Sequence, residues 1–117
     1  SVKPESLPFN PINQISFRMA EFVGLREMHR RLWKEHVREL HPVSHGNALS
    51  VYFLDPEGNR IELFVDTPWY CRQPVRIPMD MHLDDDKLWA WAEAEAKKQP
   101  DFMPVDEWRA RQARAMH

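Results

Sequence analysis

VSHGNALSVYFLDPEGNRIE, residues 43–62, is the stretch that predicts the fold of this chain. Two sets of side chains alternate over residues 49–54 and again over residues 60–65, which is typical of half-buried β-strands. Between them, residues 55–59 read Asp-Pro-Glu-Gly-Asn and have the composition of a turn. The stretch therefore predicts an antiparallel hairpin with one aliphatic face and one face that carries Tyr52 and Glu62.

Three polar side chains of this stretch can share one site. His45 precedes the first strand, whereas Tyr52 and Glu62 lie on the same face of the pair. Glutamate has a poor strand propensity and is rarely buried unless it is paired or binds a metal ion. The simpler alternative is a solvated Glu62 paired with Arg60 or Arg18, with Tyr52 present for packing.

The segment before the hairpin predicts a strand and a helix. Ile15, Phe17 and Met19 alternate with polar residues, which indicates a first strand whose apolar side chains contact a helix. Apolar residues then recur with the helical period over residues 25–33. Periodicity alone allows this helix to continue to Leu40.

The chain changes character after Tyr70. Residues 71–78 are interrupted by prolines and predict an extended segment. Residues 84–99 begin with three aspartates, which favour a helix N-terminus, and Pro100 ends the predicted helix. Residues 104–115 predict a last short helix. We expect Trp89, Trp91 and Trp108 to be packing anchors rather than substrate contacts.

Composition excludes several classes of function. The 117 residues have room for one domain, and the 16 basic and 18 acidic residues are interspersed. No basic face therefore predicts a nucleic acid or an anionic membrane as partner. No apolar run approaches the roughly 20 residues that span a bilayer. The single cysteine, Cys71, cannot form an internal disulfide, so we expect a cytoplasmic protein, and no evident neighbour activates the thiol as a nucleophile.

The hairpin resembles the sequence pattern of extradiol ring-cleavage dioxygenases. That pattern has a small or β-branched residue two positions before a histidine, an aliphatic residue before a tyrosine, then Asp-Pro, any residue, Gly, and a final Glu. The positions that match are Val43, His45, Val51, Tyr52, Asp55, Pro56, Gly58 and Glu62. Residues 12–70 as a whole look like one module of the vicinal oxygen chelate superfamily, which also contains glyoxalase I and bleomycin-resistance proteins.

The resemblance implies an α+β fold. Residues 12–70 are expected to form one βαβββ module, a curved mixed sheet with a helix on its convex face. The second strand then covers residues 38–43, so the helix ends near His36. Residues 1–11 are an extended lead-in, and residues 71–117 are a C-terminal extension with one or two helices. Two modules normally pair in this superfamily, which implies a homodimer or a sister module as partner.

The resemblance also implies roles for four side chains. Glu62 matches the carboxylate that binds the metal, His45 an acid or base near the substrate, and Tyr52 a hydrogen-bond donor to substrate oxygen. The resemblance makes Fe(II) the expected metal, because two histidines and the glutamate hold it in these dioxygenases, but Gln14 stands where this type of module carries one of those histidines. Glutamine is a metal ligand in some glyoxalase I enzymes. Two copies presenting Gln14 and Glu62 would instead suit Mn, Ni, Zn or Mg.

Three functions stay open from the sequence. The first is an extradiol-type dioxygenase that chelates a catechol-type substrate and O2 on one metal ion. The second is a glyoxalase-like lyase or isomerase that stabilises an enediolate of a vicinal-oxygen substrate. The third is a non-catalytic module that binds a small aromatic ligand.

Of the other histidines, we expect His29 to face solvent and His36 and His41 to lie closer to the cavity.

Overall fold

The computed structural model describes residues 14–116 of the chain. The predicted lead-in, residues 1–11, lies outside the described residues, as do residues 12, 13 and 117. No helix among the described residues is long and apolar enough to cross a bilayer. In chain order the elements are β1 (Gln14–Arg18), α1 (Phe22–Lys34), β2 (Arg38–Ser44), β3 (Ala48–Leu54), β4 (Arg60–Asp66), β5 (Trp69–Tyr70), β6 (Ile77–Pro78), α2 (Asp85–Lys97), β7 (Met103–Pro104) and α3 (Val105–Ala115).

The predicted hairpin of β3 and β4 is confirmed, with Tyr52 directly opposite Glu62. Its turn is organised by Asp55, whose side chain accepts hydrogen bonds from two backbone N–H groups of the turn at 2.9 and 2.8 Å. The Asn59 side-chain amide also donates to Asp55, and these bonds lower the pKa of the Asp55 carboxyl. Gly58 has a φ of 88°, a conformation that L side chains rarely adopt.

The sheet contains five strands in the order β1, β4, β3, β2, β6. Strand β1 runs parallel to β4, whereas the other neighbouring pairs are antiparallel. The sheet is mixed and does not close, so the α+β class predicted from the sequence is confirmed. A bulge between Arg38 and His41 interrupts the pairing of β2 with β3, and Glu39 within it has a positive φ of 56°.

The core lies between the sheet and the helices α1 and α2. Strand alternation directs one set of sheet side chains toward the helices, and we call this side the helix face. The other side, which carries Ser16, Tyr52 and Glu62, is called the polar face. The buried core combines side chains of the helix face, of both helices and of the segment between them: Leu25, Leu32, Leu49, Val51, Ile61, Leu63, Val65, Cys71, Val75, Met79, Leu88, Ala92 and Ala96.

Arg26 of α1 joins this helix to the start of α2. Its Nε donates to the Asp85 carboxylate at 2.8 Å, and its other nitrogens donate to the carbonyl oxygens of Met81 and Leu83. Arg26 is buried, and a buried guanidinium requires such partners because unpaired charge is costly away from water. The segment after β6 is thereby held against α1.

The tryptophans of the C-terminal part pack against aromatic neighbours, as predicted for Trp89 and Trp108. Trp89 contacts Phe22 and Trp69, each with ring centres 5.2 Å apart. Trp108 of α3 stacks on Tyr70 with ring centres 4.6 Å apart. These contacts fix α2 to α1 and β5, and α3 to β5.

Two predictions about exposure are wrong. His29 was expected to face solvent but is only 9% exposed, because the segment that follows β6 covers this side of α1. The apolar side of the first strand was expected to meet a helix; Met19 does pack beside Gly24 of α1, but Ile15 and Phe17 are 44% and 52% exposed. Strand β1 lies at the edge of the sheet, where the described helices do not cover its apolar side chains.

Candidate functional site

Four side chains form a line across the polar face. Tyr52 on β3 lies between His41 on β2 and Glu62 on β4, and Glu62 in turn lies beside Ser16 on β1. Residues directly opposite in neighbouring strands point to the same side of a sheet. We call His41, Tyr52, Glu62 and Ser16 the central row.

His45 makes a hydrogen bond through each ring nitrogen. Its Nδ1 lies 2.8 Å from the carbonyl oxygen of Val75, and its Nε2 lies 2.8 Å from the Tyr52 hydroxyl. Because a carbonyl oxygen only accepts, Nδ1 carries the proton of the neutral ring, and Tyr52 donates to Nε2. His45 therefore presents a basic nitrogen that can take a proton through the Tyr52 hydroxyl.

The Tyr52 hydroxyl lies between groups of opposite charge. Burial, followed by the negative charge of the adjacent Glu62, raises the pKa of Tyr52 above its ordinary value of 10.0, while the positive charge of Arg76 acts in the opposite direction. The Arg76 guanidinium carbon lies 5.2 Å from the centre of the Tyr52 ring. Tyr52 thus stays protonated at neutral pH, donates to His45, and keeps an acceptor lone pair for a ligand hydroxyl.

Glu62 accepts a hydrogen bond on each carboxylate oxygen. Ser16 on β1 and Ser50 on β3 donate to these oxygens, each at 2.8 Å. Ser50 is 0% exposed, so its hydroxyl bonds to the carboxylate rather than to bulk water. Glu62 consequently joins three neighbouring strands, which is a structural role beside any role in binding.

A segment far from the hairpin in sequence completes the site. We call residues 73–77 the strap. The Gln73 side chain donates to the His45 carbonyl oxygen at 2.8 Å and accepts from the Val75 backbone N–H at 3.1 Å. Ile77 pairs with Ser44 at the edge of the sheet. The strap thereby places the Val75 carbonyl at the His45 ring and Arg76 over Tyr52.

Of the four predicted site residues, the structure brings His45, Tyr52 and Glu62 together. Gln14 lies on the same face but pairs with Arg60, and Ser16 is the β1 residue directly beside Glu62. Both Glu62 oxygens bond to serines. A ligand that shares an ion with Glu62 is expected at the position of Ser16, directly beside it. Gln14 lies two residues before that position on β1.

The side chains around Glu62 do not fit a complete metal site. Nowhere in residues 14–116 do three or more His, Cys, Asp or Glu side chains converge as they do around a bound ion. Serine hydroxyls are weaker ligands than imidazole, and the facial triad that holds Fe(II) requires two histidines beside the carboxylate. The described residues of one chain supply that carboxylate alone.

Two cavities lie elsewhere in the molecule. One of about 720 Å³ lies beside Arg26, His29 and Asp85, and one of about 660 Å³ lies beside Trp33 and His82. Neither is lined by a residue of the central row.

The pKa of His29 is lowered, first by burial and then by the charge of Arg26, so its ring is neutral at neutral pH.

Cys71 is a packing residue in this structure. Its side chain is fully buried, and burial raises the pKa of its thiol. A protonated, inaccessible thiol is a poor nucleophile, in agreement with the prediction from the sequence. The Cys71 sulfur also lies against Gly46, next to His45, and so helps to shape the loop that carries the histidine.

Sequence reasoning missed several parts of the site. Ser50 had a signal, since it is a small polar residue on the same side of β3 as Tyr52, and Ser16 had a similar one on β1. The Val75 carbonyl had none, because a backbone group has no sequence signature. Arg76 was not identified, because nothing in the local pattern places the strap beside the hairpin.

Comparison of the chain with protein-family models, with curated proteins and with solved structures found no match.

Proposed function

We propose that this chain binds a catechol-type aromatic compound through His45 and Tyr52, as one half of an extradiol-type ring-cleavage site. The observation that supports the proposal most is the 2.8 Å contact between His45 Nε2 and the Tyr52 hydroxyl, with Nδ1 fixed by the Val75 carbonyl. A base oriented by one group and hydrogen-bonded to a second is the usual arrangement for proton transfer.

The proposed proton path runs from ligand to histidine. A catechol hydroxyl donates to the Tyr52 oxygen, and the Tyr52 proton passes to His45 Nε2 as the ligand proton replaces it. The ligand is left as a monoanion and His45 as an imidazolium. Val75 still accepts from Nδ1, so the ring keeps its orientation in both protonation states.

We assign residues 14–66 to a single βαβββ module of the vicinal oxygen chelate type. The support is the element order β1, α1, β2, β3, β4 with β1 inserted beside β4 in parallel. In a paired arrangement, a second copy or a sister module covers the polar face. A sister module would also contribute the two histidines that Fe(II) requires beside Glu62 for ring cleavage with O2, whereas a second copy would present Gln14 and Glu62 again, an all-oxygen set that suits Mn, Ni, Zn or Mg.

A non-catalytic role is the second candidate. It is favoured by the finding that no three His, Cys, Asp or Glu side chains converge as metal ligands within residues 14–116. In that case the His45 and Tyr52 pair retains an aromatic ligand in its anionic form without further chemistry. The two functions share the first step, so one binding experiment tests both.

The test is a titration with 4-nitrocatechol, whose visible absorption reports ionisation of its hydroxyls. The parent chain is expected to bind it as an anion. Tyr52→Phe and His45→Gln are each expected to weaken binding by about tenfold or more, because the first removes the hydrogen bond to the anionic ligand and the second removes the base that takes its proton. Tyr70→Phe, a change at the only other tyrosine of the chain, is the matched control.

Oxygen uptake separates the two candidates. Parent chain loaded with Fe(II) and catechol is expected to consume O2 if the dioxygenase half-site is functional in the assembled protein. Binding without oxygen uptake under Fe(II), Mn(II) or Zn(II) supports the non-catalytic role. Equal affinity of the parent and of both site variants for 4-nitrocatechol would contradict the proposed function.

A further inference from the structure

Arg76 is held beside the proposed ligand site by contacts on both sides of it. The preceding residue, Val75, is buried and bonds to His45, and the following residue, Ile77, pairs with Ser44 on β2. The guanidinium lies over the Tyr52 ring at 5.2 Å, while the residue as a whole is exposed to solvent. Arg76 is therefore fixed at its backbone and open at its charged end.

The charge of Arg76 is not neutralised by an acidic side chain within the described residues. Other arginines do have such partners: Arg18 contacts Asp66, Arg26 contacts Asp85, and Arg72 contacts Asp101. The nearest carboxylate in the central row, Glu62, bonds instead to Ser16 and Ser50. A guanidinium so placed can bind an anionic group of a ligand.

We propose that Arg76 selects catechols that carry a carboxylate, with 3,4-dihydroxybenzoate as the simplest member of the class. This inference rests on the proposed function, since it assumes that a catechol hydroxyl donates to Tyr52 and that its proton is passed on to His45. Aromatic carboxylates match the planar guanidinium, which forms two parallel hydrogen bonds to a carboxylate. The positive charge also offsets the repulsion between the ligand and Glu62.

Three ligands and three variants test the assignment. The ligands are 3,4-dihydroxybenzoate, its neutral analogue 3,4-dihydroxybenzamide, and catechol, each titrated by calorimetry. Arg76→Met keeps the apolar stem over Tyr52 but removes the charge, and Arg76→Lys keeps the charge. Arg72→Met is the control, because Arg72 is also exposed but is paired with Asp101.

The parent is expected to bind the benzoate about tenfold more tightly than the benzamide, as for one charge-assisted contact. Arg76→Met is expected to abolish this ratio and to weaken the benzoate far more than the benzamide or catechol, Arg76→Lys to retain part of the ratio, and Arg72→Met all of it. Two outcomes would overturn the role of Arg76: equal affinity of the parent for the benzoate and the benzamide, or an Arg76→Met variant that binds all three ligands more weakly by the same factor. Neither outcome would contradict the proposal that the chain binds catechols. Failure of the parent to bind any of the three ligands would instead overturn the proposed function on which it rests.

Discussion

A carboxylate within a β-strand needs partners, and Glu62 has them in serines from the strands on either side. The sequence offered a metal ion or a solvated ion pair as explanations. The structure adds a third, in which the carboxylate satisfies a buried hydroxyl and links three strands. At the scale of the single residue, Glu62 therefore has a structural role that is independent of any role in binding.

Glu62→Ala is expected to lower the free energy of unfolding by about 1–3 kcal/mol, because Ser50 is fully buried and loses its acceptor. Ser16→Ala, at the exposed serine, is expected to cost less than about 1 kcal/mol, since water replaces the lost bond. Urea denaturation followed by circular dichroism measures both. Similar losses for the two variants would contradict a buried hydrogen-bond role for Glu62.

His29 is expected to make stability depend on pH. Its pKa in the folded chain is lowered from 6.5 by burial and by nearby positive charges. Between the lowered value and 6.5 the unfolded chain binds more protons than the folded one. The free energy of unfolding therefore falls as the pH is lowered through 6.5.

The measurement is urea denaturation of parent and His29→Gln at about pH 7.5 and about pH 5.5. The variant has no titrating ring at this position, so it is expected to lose less stability on acidification. An identical loss in both proteins would show that other groups cause the pH dependence.

At the scale of elements, the features predicted correctly from the sequence are those that neighbouring residues determine. Period-two alternation and the Asp-Pro-Glu-Gly-Asn turn specify the hairpin and its register without help from the rest of the chain. The burial of His29, the exposure of Phe17 and the docking of the strap depend on contacts between distant segments, which periodicity does not contain. His45 and Tyr52 were therefore predictable as candidates, whereas the Val75 carbonyl and Arg76 were not.

Substitutions at the two glycines that flank β3 distinguish the cost of a strained backbone conformation from the cost of a packing clash. Both have a positive φ, 77° at Gly46 and 88° at Gly58. A Cβ at position 46 would lie 2.8 Å from the Cys71 sulfur, whereas at position 58 it would meet nothing within 4 Å. Gly58→Ala is expected to cost about 1–2 kcal/mol for conformation alone.

Gly46→Ala adds a clash within the core and is expected to cost about 2–5 kcal/mol. It also displaces the loop of His45, so binding of 4-nitrocatechol is expected to fall with it, whereas Gly58→Ala leaves binding near that of the parent. Thermal and urea unfolding provide the comparison. Equal destabilisation by the two changes would argue against the contact between the loop and Cys71.

The molecule as a whole is flat. Its principal extents are 48 × 41 × 23 Å and its radius of gyration is 16.3 Å, against roughly 13 Å for a globular chain of this size. Helices cover one side of the sheet, and edge strand β1 exposes Ile15 and Phe17 in the described part of the chain. An exposed apolar edge strand favours association with another chain.

The chain is therefore expected to be a dimer at micromolar concentration, as measured by light scattering. Phe17→Glu is expected to shift it toward monomer by placing charge at the edge. Val23→Glu is the control, since Val23 is an equally exposed apolar residue on α1, away from that edge. A parent chain that is monodisperse and monomeric would contradict pairing.

The strap has a consequence for any attempt to move the His45 and Tyr52 pair to another protein. The three predicted site residues that the structure brings together, His45, Tyr52 and Glu62, lie in the hairpin and the loop that enters it, but the group that fixes the His45 tautomer arrives thirty positions later. A transplanted hairpin would carry His45, Tyr52 and Glu62 while leaving the imidazole free to rotate and to exchange its proton between nitrogens. The smallest segment that could be transferred with the His45 tautomer fixed is consequently the hairpin together with residues 71–78, and the recipient protein must offer a sheet edge on which those residues can pack.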